Sequence, residues 1–158
     1  MIESNLSLAL GLYVEDALKD LRLPSKVKDK EVIYRAPIVW QGYLPPKRST
    51  IADSAPFVIV RVEDTTAERG QTNVTVAIII GCYSSETDGY LQCLSVFQRI
   101  RFALLQLPCQ TLACRYQLDY PIKGDNVSEQ TYPYWQFQMT TNWILKTSEQ
   151  MNDGLEVF

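Results

Sequence analysis

Residues 131–145, TYPYWQFQMTTNWIL, change character from each position to the next. Every second residue from Trp135 gives Trp135, Phe137, Met139, Thr141, Trp143 and Leu145; between them lie Tyr134, Gln136, Gln138, Thr140, Asn142 and Ile144. A period of two belongs to an extended strand, whose side chains point alternately to opposite faces of a sheet. One face here is heavy and apolar, the other mostly amide and hydroxyl. Such a strand needs neighbours of similar length and a covering layer able to bury two tryptophans, so it constrains the fold more than any other stretch.

The rest of the chain supplies both. Residues 73–83, NVTVAIIIGCY, alternate at first and then turn apolar on both faces, which suits a place near the middle of a covered sheet. Residues 57–63, FVIVRVE, precede them across the polar run DTTAERGQTN, an arrangement that predicts an extended antiparallel hairpin. Further strands are expected at 36–44, halted by Pro45 and Pro46, and at 114–121. Residues 5–22 place Leu6, Leu10, Tyr13, Ala17 and Leu21 on one side of a helix that Ser4 or Asn5 caps. In a second helix over 88–107, capped by Thr87 or Asp88 and stopped by Pro108, Tyr90, Cys93, Leu94, Phe97, Ile100 and Leu104 share an arc of about 120°. Arg101 points into that arc. The expected architecture is one α+β domain over residues 1–158, with a mostly antiparallel sheet, a long hairpin, an N-terminal and a central helix, and a polar tail at 148–158.

Composition narrows the chemistry. The chain has 158 residues, enough for one domain with a real core. It has no histidine, the commonest general base and metal ligand. Cys82, Cys93, Cys109 and Cys114 have no CxxC spacing, so no metal set is expected; buried free thiols are the simple reading, and a Cys109–Cys114 disulfide stays open. Glu63, Asp64 and Glu68 read as a solvated hairpin end, and Thr87-Asp88-Gly89 as helix capping. No catalytic residue and no cofactor is expected. The net charge of −3 speaks against a dedicated nucleic-acid binder. Leu6–Val14 is flanked by acids rather than preceded by cations, unlike a signal peptide, and no run reaches bilayer-spanning length, so a cytosolic product is expected.

What remains points to assembly. Leu91 and Phe102 form an apolar row on the helix side that should be wet, which suits an interface or a second layer of core. Arg99 and Arg101 flank Ile100; Arg101 either lays its stem along the helix edge or pairs with another subunit. Gln136, Gln138 and Thr140 can hydrogen-bond across a subunit boundary without the desolvation cost of buried charge, or form a plain exposed sheet face. Three long loops, 45–56, 64–72 and 121–131, are expected to carry Lys47, Arg48, Glu68, Arg69, Lys123 and Asp125 as charged docking arms.

The succession APFVIVRVEDTT, VTVAIIIGCYSSETDGYLQCLSVFQRIR and TYPYWQFQMTTNWIL resembles tail terminator and tail-completion proteins of long-tailed bacteriophages. The shared pattern runs through Pro56, Phe57, Gly81, Tyr83, Gly89, Ile100, Arg101, Tyr132, Pro133, Tyr134 and Trp135, across about residues 55–147. The resemblance implies a non-enzymatic virion subunit, assembled in the bacterial cytoplasm, that forms a ring, often a hexamer, at the head-proximal end of the tail. Its partners are its own copies, the tail tube protein and a head–tail connector protein, with DNA passing through the lumen unread and no membrane involved. A connector or tube subunit is the neighbouring alternative. A small-molecule-binding or enzymatic α+β domain using carboxylates and tyrosines is the rival from another class.

Overall fold

The computed structural model describes residues 2–25, 33–44, 55–86, 88–127 and 132–146. In chain order the elements are α1 (Ile2–Leu18), β1 (Leu23–Ser25), β2 (Ile33–Arg35), β3 (Ile38–Gln41), β4 (Phe57–Glu68), β5 (Gln71–Tyr83), α2 (Gly89–Leu105), β6 (Thr111–Leu112), β7 (Tyr116–Asn126) and β8 (Tyr134–Lys146). Six strands form one sheet in the order β3-β4-β5-β8-β7-β6, and β1 pairs with β2 in a separate ribbon. Both helices lie on one face of the sheet. This is the expected α+β architecture, mostly antiparallel with one long hairpin.

The alternation in β8 becomes burial. Phe137, Met139, Thr141, Trp143 and Leu145 are buried, while Gln136, Gln138, Thr140, Asn142 and Ile144 are half-exposed. Antiparallel register sets Phe137 opposite Ile80, Met139 opposite Ile78 and Trp143 opposite Val74, so the two longest strands share one apolar face. Leu6, Leu10, Val14 and Leu18 recur every fourth residue along α1 and close over that face, beside Val96, Phe97, Ile100 and Leu104 of α2. The lone hydroxyl in the apolar set serves the indole. The Trp143 Nε1 proton is donated to Thr141 Oγ1 at 2.9 Å, and that hydroxyl donates to the Val76 carbonyl at 3.0 Å. A fully buried indole thus keeps its polar atom satisfied. Gly89 is needed where α2 meets the sheet, since a Cβ there would collide with the Trp135 ring.

Several expectations are corrected. The first helix begins at Ile2, so Ser4 and Asn5 lie inside its first turn and do not cap it. It ends at Leu18, where the Leu21 N–H bonds the Leu18 carbonyl at 3.0 Å and the chain turns toward β1. The 64–72 segment is not a loop: β4 and β5 stay paired from Asp64–Thr75 to Glu68–Gln71, and Arg69-Gly70 alone makes the turn. Gly70 has φ +107°, a left-handed conformation that favours glycine. Polar residues obscured this arm because both faces of its β4 half are wet, which removes alternation there without removing the pairing to β5. Lys123 and Asp125 likewise sit in β7, not in a loop; the strand's period is broken by an irregularity between Asp119 and Lys123. The short strand β3 is parallel to β4, an exception within the antiparallel sheet. Tyr90 and Arg101 are exposed on α2 rather than turned inward. Asp88 precedes α2 without capping it; its Oδ1 accepts the Ser84 hydroxyl at 2.6 Å. Thr87, Pro45, Pro46, Lys47, Arg48 and the 148–158 tail lie outside the described residues.

Trp143→Ala should destabilise the fold by about 3–5 kcal/mol, the range for emptying an aromatic core site. Gln138→Ala on the opposite face should stay within about 0.5 kcal/mol, both read by urea unfolding.

Candidate functional site

Opposite the helices, the sheet presents a nearly uncharged strip. Gln136, Gln138, Thr140 and Asn142 of β8 run down its middle. On one side Gly81, Ile79, Ala77 and Thr75 of β5 stand across from them; on the other, Asp125 faces Gln138, Lys123 faces Thr140 and Asp119 faces Asn142. The Thr75 hydroxyl donates to Asn142 Oδ1 at 2.9 Å, and Gln71 Nε2 donates to Asn73 Oδ1 at 3.0 Å. The expected trio of Gln136, Gln138 and Thr140 is therefore gathered on one hydrated face. Lys123, between Asp119 and Asp125, leaves its charged border slightly negative.

That face is not wet throughout. At its β3–β4 end Ala55, Phe57 and Ile59 form a second small core, with Trp40, Leu44, Ile79 and Tyr83 packed against it. Gly81 makes room for it, because a Cβ there would collide with the Phe57 ring. Alternation in residues 57–63 is too weak to show this cluster. The legible signal is Gly81 itself, a small residue amid large apolar ones.

Among the described residues the sheet has two open edges. β3 pairs with β4 only over Phe57–Val60. Among the described residues, no strand pairs with the outer side of β4 from Val62 to Glu68. β6 pairs only with Tyr116 and Gln117, so the outer side of β7 from Leu118 to Asp125 is open in the same sense. Exposed Glu63, Asp64 and Glu68 guard the first edge, and Pro121 with the nearby irregularity guards the second. Arg61 anchors the start of the first edge: Nε donates to the Gly42 carbonyl at 2.8 Å, and the guanidinium lies 4.1 Å from the Tyr43 ring centre. Further along, the Thr65 hydroxyl donates to Glu3 Oε1 at 2.8 Å and ties α1 to the arm. Backbone hydrogen bonding first, and then Thr65, hold the Glu3 carboxyl below its ordinary range. Glu68 and Arg69 sit together at the hairpin tip, distant in the fold from the amide strip's centre.

On the outer side of α2, Leu91, Arg99, Arg101 and Phe102 are all exposed. Leu21, Ser95, Gln98, Leu105 and three of those four line a shallow groove of about 640 Å³. The Arg101 guanidinium lies 5.2 Å from the Phe97 ring centre, so its stem runs along the helix edge. Among the described residues no carboxylate ion-pairs with Arg99 or Arg101. The apolar row of Leu91 and Phe102 is surface, not a second layer of core.

A smaller pocket of about 220 Å³ lies between β5 and α2, lined by Pro24, Tyr34, Tyr83, Ser84, Ser85, Glu86, Asp88 and Gln92. Its most enzyme-like pair is Ser84 and Asp88. Ser84 also accepts the Glu86 N–H at 3.2 Å, and its carbonyl accepts the Trp135 indole proton at 3.2 Å, so these contacts build the turn that launches α2. Cys82 and Cys93 are buried neighbours; their mutual hydrogen bond, then burial, push the Cys82 thiol well up. Cys109 and Cys114 are exposed and free. Among the described residues no group of three or more acidic, cysteine or histidine side chains is placed to hold a metal ion.

No protein-family model matches the chain, and no curated protein sequence matches it.

Glu3 is ionised in the folded state down to a lower pH than in the unfolded chain, so its contribution is full near neutrality and is lost as the pH falls through the folded-state value. The stability gap between the wild type and Glu3→Gln should accordingly be largest near neutral pH and close under strongly acid conditions, as read by urea midpoints. Arg101→Glu and Phe102→Asp, both on an open helix surface of the single chain, should shift the urea midpoint, read at low protein concentration, by no more than about 0.5 kcal/mol equivalent.

Proposed function

We propose that this protein is a structural subunit of a bacteriophage tail, which forms a ring at the head-proximal end, ends tube growth and offers the surface that docks to the head. The observation that carries the proposal is the amide and hydroxyl strip on the outer sheet face, bordered on both sides by open strand edges. The resemblance of the three quoted segments to tail terminator proteins supports it.

The physical logic is a head-to-tail contact. The β4 edge and the β7 edge are different surfaces on opposite sides of one sheet, so copies meeting through them use unlike patches. Such a contact closes into a ring when the successive rotations add to a full turn. Guarded edges do not pair indiscriminately; charge and proline make pairing wait for a partner that sets the register, here the end of a tube. The sheet strip is then the wet wall of the lumen. Its amides stay hydrated, and with few cations it gives the phosphate backbone of passing DNA little to hold. Glu68 and Arg69, at the tip of the long arm, reach toward the next component.

Incubating the purified chain with tubes of its cognate tail tube protein tests the proposal. Electron microscopy should show a ring at one end of each tube, and tube length should stop increasing. A chain that stays monomeric at high concentration, with tubes growing unchecked beside it, contradicts the proposal.

A further inference from the structure

We propose that the outer surface of the helix layer docks a second copy of this chain about a two-fold axis, with α1 of one copy lying on α2 of the other. This contact is separate from the ring contact and does not depend on it.

Two apolar stripes face away from the sheet. On α1, Leu8 is 55% exposed and Leu12 70% exposed, four residues apart on one side of the helix. On α2, Leu91, Ser95, Gln98, Phe102 and Leu105 succeed one another at steps of four and three, and Phe102 is 65% exposed. That spacing lays them in a row opposite Cys93, Ile100 and Leu104, which point into the core. The helices lie side by side, joined where the Tyr13 hydroxyl donates to the Ala103 carbonyl at 2.5 Å. Both stripes stand on the outer side of the helix layer, with one groove beside Phe102 and Leu105 and another where Leu8 borders Gln41 and Val62.

Charge selects the occupant. α1 carries Glu3, Glu15 and Asp16 and no cation, whereas α2 carries Arg99 and Arg101 and no carboxylate. Asp16 pairs with Lys19 at 3.1 Å across solvent, a contact of little strength. Among the described residues, Arg99 and Arg101 have no carboxylate partner and Glu15 has no cation partner. Packing α2 on its own copy would bring four guanidinium groups together around an apolar seam, and α1 on its own copy would do the same with acids. A two-fold axis parallel to the helices avoids both: it sets α1 over the partner's α2 and, by symmetry, α2 over the partner's α1. Leu8 and Leu12 then meet Phe102 and Leu105, with Glu15 and Asp16 beside the arginines.

Sedimentation velocity on the full chain under reducing conditions tests the contact. Wild type should dimerise, more weakly as salt rises. Arg99→Glu with Arg101→Glu, and separately Glu15→Lys with Asp16→Lys, should each raise the dimer dissociation constant at least tenfold. The chain carrying all four substitutions should recover most of the lost affinity, since reversed charges again meet opposite ones; recovery also shows that neither pair acted by unfolding the protein. A wild type that stays monomeric at high concentration overturns the inference. So does a fourfold variant that remains as dissociated as its parents, which is the outcome for α2 packed on α2 or for an unrelated partner. Larger assemblies indifferent to all four changes would support the ring and overturn this contact.

Discussion

The ladder between β5 and β8 is the interaction on which the rest of the structure depends. Thirteen successive residue pairs, from Gln71–Lys146 to Tyr83–Tyr134, join the two strands without a break. Unbroken register keeps every second side chain on one side for the whole length. It fixes which face receives the helices and which remains wet, and a slip of one residue would exchange the two. Trp143 and its bond to Thr141 lock that choice, because the indole cannot be placed on the other face without exposing its ring and stranding the hydroxyl.

From this ladder the other features follow. The covered face determines where α1 and α2 lie, and α2 is set against β8 by the Gly89–Trp135 contact. The uncovered face collects amides and hydroxyls at its centre and a small apolar cluster around Phe57 at one end. β3 and β6 are shorter than the strands they pair with, so among the described residues β4 and β7 keep bare stretches of backbone. Among the described residues, one hydrated sheet face, two guarded edges and an apolar helix surface offer broad surfaces for contact. Those surfaces underlie the proposed role in a virion.

Much of this is legible in the sequence where one face is buried and the other is not. The β8 alternation and the Leu6–Leu10 start of α1 each carry a clear period, and the sheet, both helices and the hairpin follow from them; further along α1 the core positions are Val14 and Leu18, while the expected Tyr13, Ala17 and Leu21 are only half-buried. Legibility fails where burial does not impose a period. Residues 64–72 read as a loop because Asp64–Gly70 are solvated on both faces, although Asp64–Glu68 pair with Gln71–Thr75. Lys123 and Asp125 read as loop residues because an irregularity in β7 resets the alternation. Helical angle alone turns Arg101 inward, while its long stem lets the charge leave the core edge and lie over Phe97. Of the surfaces proposed for assembly, Gln136, Gln138 and Thr140 do share a face, as do Leu91, Arg99, Arg101 and Phe102. The Phe57 cluster has no periodic signal.

Hydrogen–deuterium exchange, read before and after the chain meets tail tubes, tests the central claim most directly. Amides of β5 and β8 should be protected in both states, while the outer amides of Val62–Glu68 and Leu118–Asp125 should gain protection only on assembly. Unchanged exchange at both edges, with tubes present and the chain fully folded, would contradict the account.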